Sequence, residues 1–178
     1  MKGVDRTGRI TGKSAIAALA SPVRQEIIDT VEALGSATIA EIAVQLGRPA
    51  DGLYYHVRRL VRAGLLVGNG SGYRTPRPLR LDYDRDPAAV RRVIASMLRI
   101  ARRDFDAGFA GATTRGPRRS LWAGRATGWV GVRELAEINT LIARIDKLLH
   151  RPRRRDSDQL ASWCFVLAPL AARPARRR

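Results

Sequence analysis

Apolar and polar positions recur with helical spacing over the first third of the chain and then give way to shorter, turn-bounded runs. Ala15 to Leu19 form a brief apolar helical run. Ser21 and Pro22 offer a cap and a first-turn proline for a second helix, with Val23, Ile27, Val31 and Leu34 on one face and Gly35 placed to end it. Thr38 and Glu41 have the spacing of a capping box. Behind them Ile39, Ile42, Ala43 and Leu46 draw the stripe of a short third helix, which Gly47-Arg48-Pro49 breaks.

The next run, ADGLYYHVRRLVRAG from Ala50 to Gly64, is two-faced. At about 100° per residue, Leu53, His56, Val57, Leu60 and Val61 share one broad face. Asp51, Tyr55, Arg58 and Arg62 fall opposite, with Tyr54 and Arg59 on the flanks. Leu65-Leu66-Val67 and Tyr73-Arg74-Thr75 then read as strands around a Gly-Asn-Gly-Ser-Gly turn at 68–72, a hairpin cue. Helices separated by a tight break and followed by a hairpin predict a winged helix-turn-helix.

The run ALASPVRQEIIDTVEALGSATIAEIAVQLGRPADGLYYHVRRLVRAGLL resembles the DNA-binding core of the ArsR-like winged-helix transcription regulators. The matching pieces are Ala18 to Arg24 opening the long helix, Thr38 to Ala43 opening the first helix of the motif, Tyr55-His56-Val57 where the family usually has His-His-Leu, and Leu60 through Leu65 as its Leu-x-x-x-Gly-Leu ending. The resemblance covers roughly residues 15 to 83. It implies a homodimeric regulator, a repressor by promoter occlusion, that binds an imperfect DNA palindrome. The cysteine pair of the family's metal sensors would fall near Ile42 and Val44, and the helix after the wing has Asp104 and Asp106 but no histidine, so no metal is expected.

Expected DNA contacts follow from these positions. Asp51, Gly52, Tyr54 and Tyr55 near the helix start should approach base edges, while Arg58, Arg59 and Arg62 reach phosphates or guanine. Wing residues Asn69, Ser71 and Arg74 should touch the backbone or the minor groove, with Gly68, Gly70 and Gly72 permitting positive φ and close approach. Asp51 has two readings, acceptance from a cytosine amino group or simple favour at a helix N-terminus. His56, on the apolar face, reads as a core histidine.

Beyond the hairpin, residues 75–80 are proline-punctuated and read as a connector or last strand. Asp86-Pro87 opens a helix to about Phe109 with Val90, Ile94, Met97, Ala101, Phe105 and Gly108 as its stripe. Ser120 to Val130 reads as strand-like. Val132 to Leu149 reads as an amphipathic helix with Leu135, Ile138, Ile142, Ile145 and Leu149 inward, and Trp163 to Leu167 as a buried strand. The fold class expected is α+β, mainly α. Its parts are a flexible arm (1–13), the winged helix-turn-helix (14–83), a helical dimerisation and candidate effector domain (84–170) and a basic tail (171–178). Trp122, Trp129, Trp163 and Phe165 are candidates for lining a pocket for a small, unidentified apolar effector. The same residues serve equally as ordinary core.

Charge sharpens this picture. There are 33 basic and 16 acidic residues, a net +17, which favours polyanionic partners. Residues 1–83 hold 12 basic against 7 acidic and the remainder 21 against 9, so most of the excess lies outside the two-faced helix. Arginine dominates; it suits phosphate and guanine contacts, and a GC-rich genome gives the same bias. A basic architectural or RNA-associated protein is the alternative. One cysteine, Cys164, allows no intrachain disulfide. Gly8 to Ser14, GRITGKS, lacks the four-residue spacing of a phosphate-binding loop. Nothing pairs a nucleophile with a base. The chain is therefore expected to be cytoplasmic and nucleoid-associated, with no membrane partner, no cofactor and no enzymatic activity.

Overall fold

A computed structural model describes residues 3–68, 70–84, 86–150 and 160–169; the basic tail at 171–178 lies outside them. In chain order the elements are β1 (Arg9–Ile10), α1 (Lys13–Leu19), α2 (Pro22–Leu34), α3 (Ile39–Leu46), α4 (Ala50–Arg62), β2 (Val67–Gly68), β3 (Tyr73–Arg74), β4 (Arg80–Leu81), α5 (Pro87–Gly108), a single 3-10 turn and α6 (Val132–Leu149). The fold is mainly helical with small sheets, as the periodicity predicts.

Local signals place the helix-turn-helix. Thr38 Oγ1 accepts from the Glu41 N–H at 3.2 Å, and Glu41 Oε2 accepts from the Thr38 N–H at 2.8 Å, so the capping box is complete. At the other end of α3, Gly47 sits left-handed at φ 60°, a conformation that side chains resist, and redirects the chain into α4. Ser21 starts α2 by position alone, since its side chain makes no capping bond. β2 and β3 pair antiparallel with Val67 opposite Arg74. Ala37 and Tyr73 exchange backbone hydrogen bonds of 2.9 and 2.8 Å, which fixes the hairpin to the start of the motif.

Ile16, Ile27, Val31, Ile42, Leu53, Val57, Leu60, Leu65 and Leu66 are almost fully buried in one core. Each such side chain contributes about 1.5–3 kcal/mol. α5 joins that same core through Ala89, Val90 and Val93, so packing does not break near residue 84. The Gln25 amide nitrogen donates to the Leu19 carbonyl at 2.6 Å and the Val93 carbonyl at 3.0 Å, tying α1, α2 and α5 together. The buried face of α5 is Ala89, Val90, Val93, Ser96 and Ile100. It is rotated from the expected stripe, whose Ile94, Met97, Ala101 and Phe105 are half-buried and whose Gly108 is exposed. Small residues at 89 and 96 allow the close approach.

Three expectations are corrected. The N-terminal stretch is not a loose arm from residue 3 onward: Val4 and Ile10 are buried and β1 pairs parallel with β4. Asp5 organises its turn by accepting from the Thr7 and Arg9 N–H groups at 2.7 and 3.0 Å. A two-residue strand and one turn are too short to leave a periodicity. Residues 120–130 and 163–167 form no strand: among the described residues they pair with neither two-stranded sheet. On α6, Leu135 and Leu149 are exposed and Ile138, Ile142 and Ile145 half-buried, so its stripe is not covered by the described residues. Its C-terminal end meets α2 and β4 through His150–Glu32 (3.5 Å) and Arg80–Asp146 (3.9 Å).

Candidate nucleic-acid interface

α4 is anchored by a narrow stripe. Leu53, Val57 and Leu60 are buried at i, i+4 and i+7, whereas Val61 is 39% exposed, so the inward face is tighter than the helical wheel gives. With those three fixed, Asp51, Gly52, Tyr54, Tyr55, Arg58, Arg59 and Arg62 all face outward and are exposed. These side chains therefore share one continuous exposed surface of α4. Asp51 lies in the first turn and Arg59 and Arg62 in the last, the arrangement that complements the helix dipole. An N-terminal turn free of neighbours at Gly52, where an added Cβ meets nothing within 4 Å, leaves room for a base edge.

The wing stands beside this helix with Ser71 and Arg74 exposed, and Asn69 lies outside the described residues. Its glycines divide the expected roles. Gly70 has φ 82° and makes the turn. At Gly72 a Cβ would come within 2.7 Å of the Ala37 carbonyl oxygen, so this glycine permits close approach to the protein's own backbone. Gly68 shows neither need.

The structure adds residues that helical periodicity does not single out. Arg24 of α2 donates through Nε to the Ala18 carbonyl and lies in the field of Arg59 and Tyr55. Burial, then Arg59, lowers its pKa. Arg48, in the turn before α4, is held at 3.3 Å by the buried carboxylate of Glu26. Arg24 adds positive charge beside Tyr55 and Arg59, whereas the charge of Arg48 is met by Glu26. A polar residue between Gly47 and Pro49 was the visible trace of Arg48; Arg24 left none. His56 is half-buried, edge-on to Tyr55 at 5.4 Å between ring centroids, with Nδ1 buried and unpaired among the described residues. Burial, then Arg24 and Arg48, lowers its pKa, so a cation is disfavoured there.

The candidate pocket residues are not gathered. Trp122, Trp129, Trp163 and Phe165 are all exposed; Trp163 and Phe165 lie 6.2 Å apart, and Trp122 stacks instead under Arg119. The strands expected to bring them together do not form, so a pocket lined by all four is corrected. Asp104 and Asp106 are taken by Arg103 (2.6 Å) and Arg102 (3.8 Å). Among the described residues no group of three histidine, cysteine, aspartate or glutamate side chains is placed to hold a metal ion, and no helix is long and apolar enough to cross a membrane.

Residues 19–69 match a family described as a helix-turn-helix domain. The match runs from the last residue of α1 through α2, α3 and α4 and past β2, and it includes the helix that carries the exposed face. The chain carries a helix-turn-helix DNA-binding domain. No curated protein matches the chain.

Proposed function

We propose that this protein regulates transcription by binding duplex DNA as a homodimer, with α4 in the major groove and the β2–β3 hairpin on the flanking backbone, and that it represses by occupying its operator. The observation that carries this reading is the outward face of α4, where two tyrosines and three arginines stand exposed on a helix locked from behind by Leu53, Val57 and Leu60. Tyr54 and Tyr55 present both an apolar ring and a hydroxyl to base edges, and Arg58 can engage guanine in a bidentate fork. A kinship with ArsR-like regulators accounts for the order of the motifs. Two copies related by a two-fold axis require a palindromic operator.

Apolar side chains left uncovered support the dimer. Leu98 and Phe109 around α5, and Leu135, Leu141, Leu148 and Leu149 on α6, are 37–62% exposed in one chain. Exposed apolar side chains on two successive helices suit a subunit contact, and a second copy is the partner proposed. No catalytic step, metal or cofactor belongs to this reading.

Competition between a genomic duplex selected by the protein and a random duplex, at about 0.15 M salt, tests it, with mass measured in solution. A sequence-reading regulator prefers its selected site by ~1,000-fold or more. Equal affinity for both duplexes favours an architectural role instead.

A further inference from the structure

The segment between α5 and α6 has no part in the reading above, yet its composition is one-sided. Between Asp106 and Glu134 there are five arginines and no acidic residue. Part of it is a closed loop. The Ser120 N–H donates to the Thr113 carbonyl at 2.8 Å, and the Thr113 N–H donates to Ser120 Oγ at 3.1 Å. Gly116, at φ 72°, turns the chain inside the loop and accepts from the Arg119 N–H at 3.2 Å.

Arg119 then folds back over Trp122. Its Nε donates to the Leu121 carbonyl at 3.0 Å, and its guanidinium carbon lies 3.6 Å from the indole centroid. Arg115, Arg118 and Arg125 are exposed, and no carboxylate of the segment competes for them. Trp129 is 96% exposed. Among the described residues these arginines have no carboxylate partner, so they suit phosphates, and the bare Trp129 ring beside them can pack against apolar groups of the same partner.

We propose that residues 113–130 make a second contact to the duplex that α4 reads, with Arg115, Arg118 and Arg125 on flanking phosphates and Trp129 packed against the sugar and base edges. This rests on the proposal that the protein binds duplex DNA. A second copy of the same segment is a poor occupant, because two strips of arginine without acid repel. An anionic membrane is also disfavoured: the segment is irregular and has no apolar helical face to bury. Once α4 is bound, the tether to α5 makes the second contact intramolecular.

The test uses the full chain carrying Trp122→Phe and Trp163→Phe, which leaves Trp129 as the sole fluorophore of the three tryptophans. A labelled genomic duplex is titrated while its anisotropy and the acrylamide quenching of Trp129 are followed together. Expected is a rise in anisotropy with a fall of about two-fold or more in the quenching constant. The triple variant Arg115→Gln, Arg118→Gln, Arg125→Gln should bind with a log–log salt slope shallower by up to about 2.7, at ~0.9 for each phosphate no longer neutralised. A rise in anisotropy with unchanged quenching and an unchanged slope overturns the second contact and leaves α4's role standing. Shielding of Trp129 already in the free protein, or only by vesicles of anionic lipid, overturns it too. If no duplex raises the anisotropy, the second contact falls together with the reading it rests on.

Discussion

Glu26 on α2 holds Arg48, in the turn before α4, at 3.3 Å, while its other carboxylate oxygen takes Arg103 of α5. One buried carboxylate thereby joins the helix-turn-helix to the long helix behind it. The two arginines are 42% and 54% exposed, so water can recover them when the carboxylate is removed. Glu26→Gln should therefore cost only about 1–2 kcal/mol of stability, measured as a shift of the urea midpoint. The same variant should weaken DNA binding, because Arg48 loses the partner that fixes it at the start of α4. An unchanged affinity would show that this junction does not position the helix.

Gln25 has the opposite dependence on burial. Its amide satisfies two backbone carbonyls, Leu19 and Val93, inside the core. Gln25→Leu removes a buried donor shared by both carbonyls and should cost about 1–3 kcal/mol. Amide exchange should quicken first in the N-terminal half of α5, where Val93 lies. Uniform acceleration across all helices would contradict a specific tie.

Much of this architecture was legible in the sequence because it rests on local chemistry. The Thr38–Glu41 box, Gly47, Pro22, Gly35 and the 68–72 turn each fix backbone within a few residues, and α2 to β3 follow from them. The outward face of α4 was equally legible, since three buried positions determine where the other side chains point. What escaped depended on partners distant in sequence. β1 exists only because β4 lies beside it, about 70 residues later. The rotated face of α5 follows from the shape of α1 and α2, and Arg24 and Arg48 gain meaning only from neighbours on other elements. The segments at 120–130 and 163–167 have aromatic composition but pair with no strand among the described residues.

The wing is sensitive to a single methyl group. A Cβ at Gly72 would meet the Ala37 carbonyl oxygen at 2.7 Å and its carbon at 2.8 Å, both backbone atoms that cannot swing aside. Gly72→Ala should break the Ala37–Tyr73 pairing at a cost of about 1–3 kcal/mol and move the hairpin off the DNA backbone. Loss of affinity with a stability loss in this range is expected; unchanged affinity and stability would show that the hairpin adapts.

Docking of α6 should respond to pH. His150 places Nε2 3.5 Å from Glu32 and a ring nitrogen 2.8 Å from the Asp146 carbonyl oxygen. Burial lowers its pKa most, but the Asp146 backbone oxygen and the carboxylates of Asp146 and Glu32 together outweigh it and raise the value above the usual 6.5. A histidine raised in this way stabilises the folded arrangement fully below its unfolded pKa and loses that contribution as pH rises through the folded one. α6 should therefore loosen from α2 as pH rises above about 6.5, seen as amide exchange corrected for its intrinsic rate. His150→Gln should flatten that dependence. His56, whose pKa is lowered, has the opposite sign: its contribution is present above the unfolded pKa and lost as pH falls.

Whether the exposed face of α4 reads DNA sequence is measured by selection from a random duplex library. The wild-type protein, Tyr55→Ala and Arg62→Ala are carried through the same rounds. The wild type should enrich an imperfect palindrome, Tyr55→Ala should lose or relax that preference, and Arg62→Ala should keep the motif while binding every sequence more weakly. If both variants enrich the wild-type motif with wild-type affinity, α4 is not the reading helix.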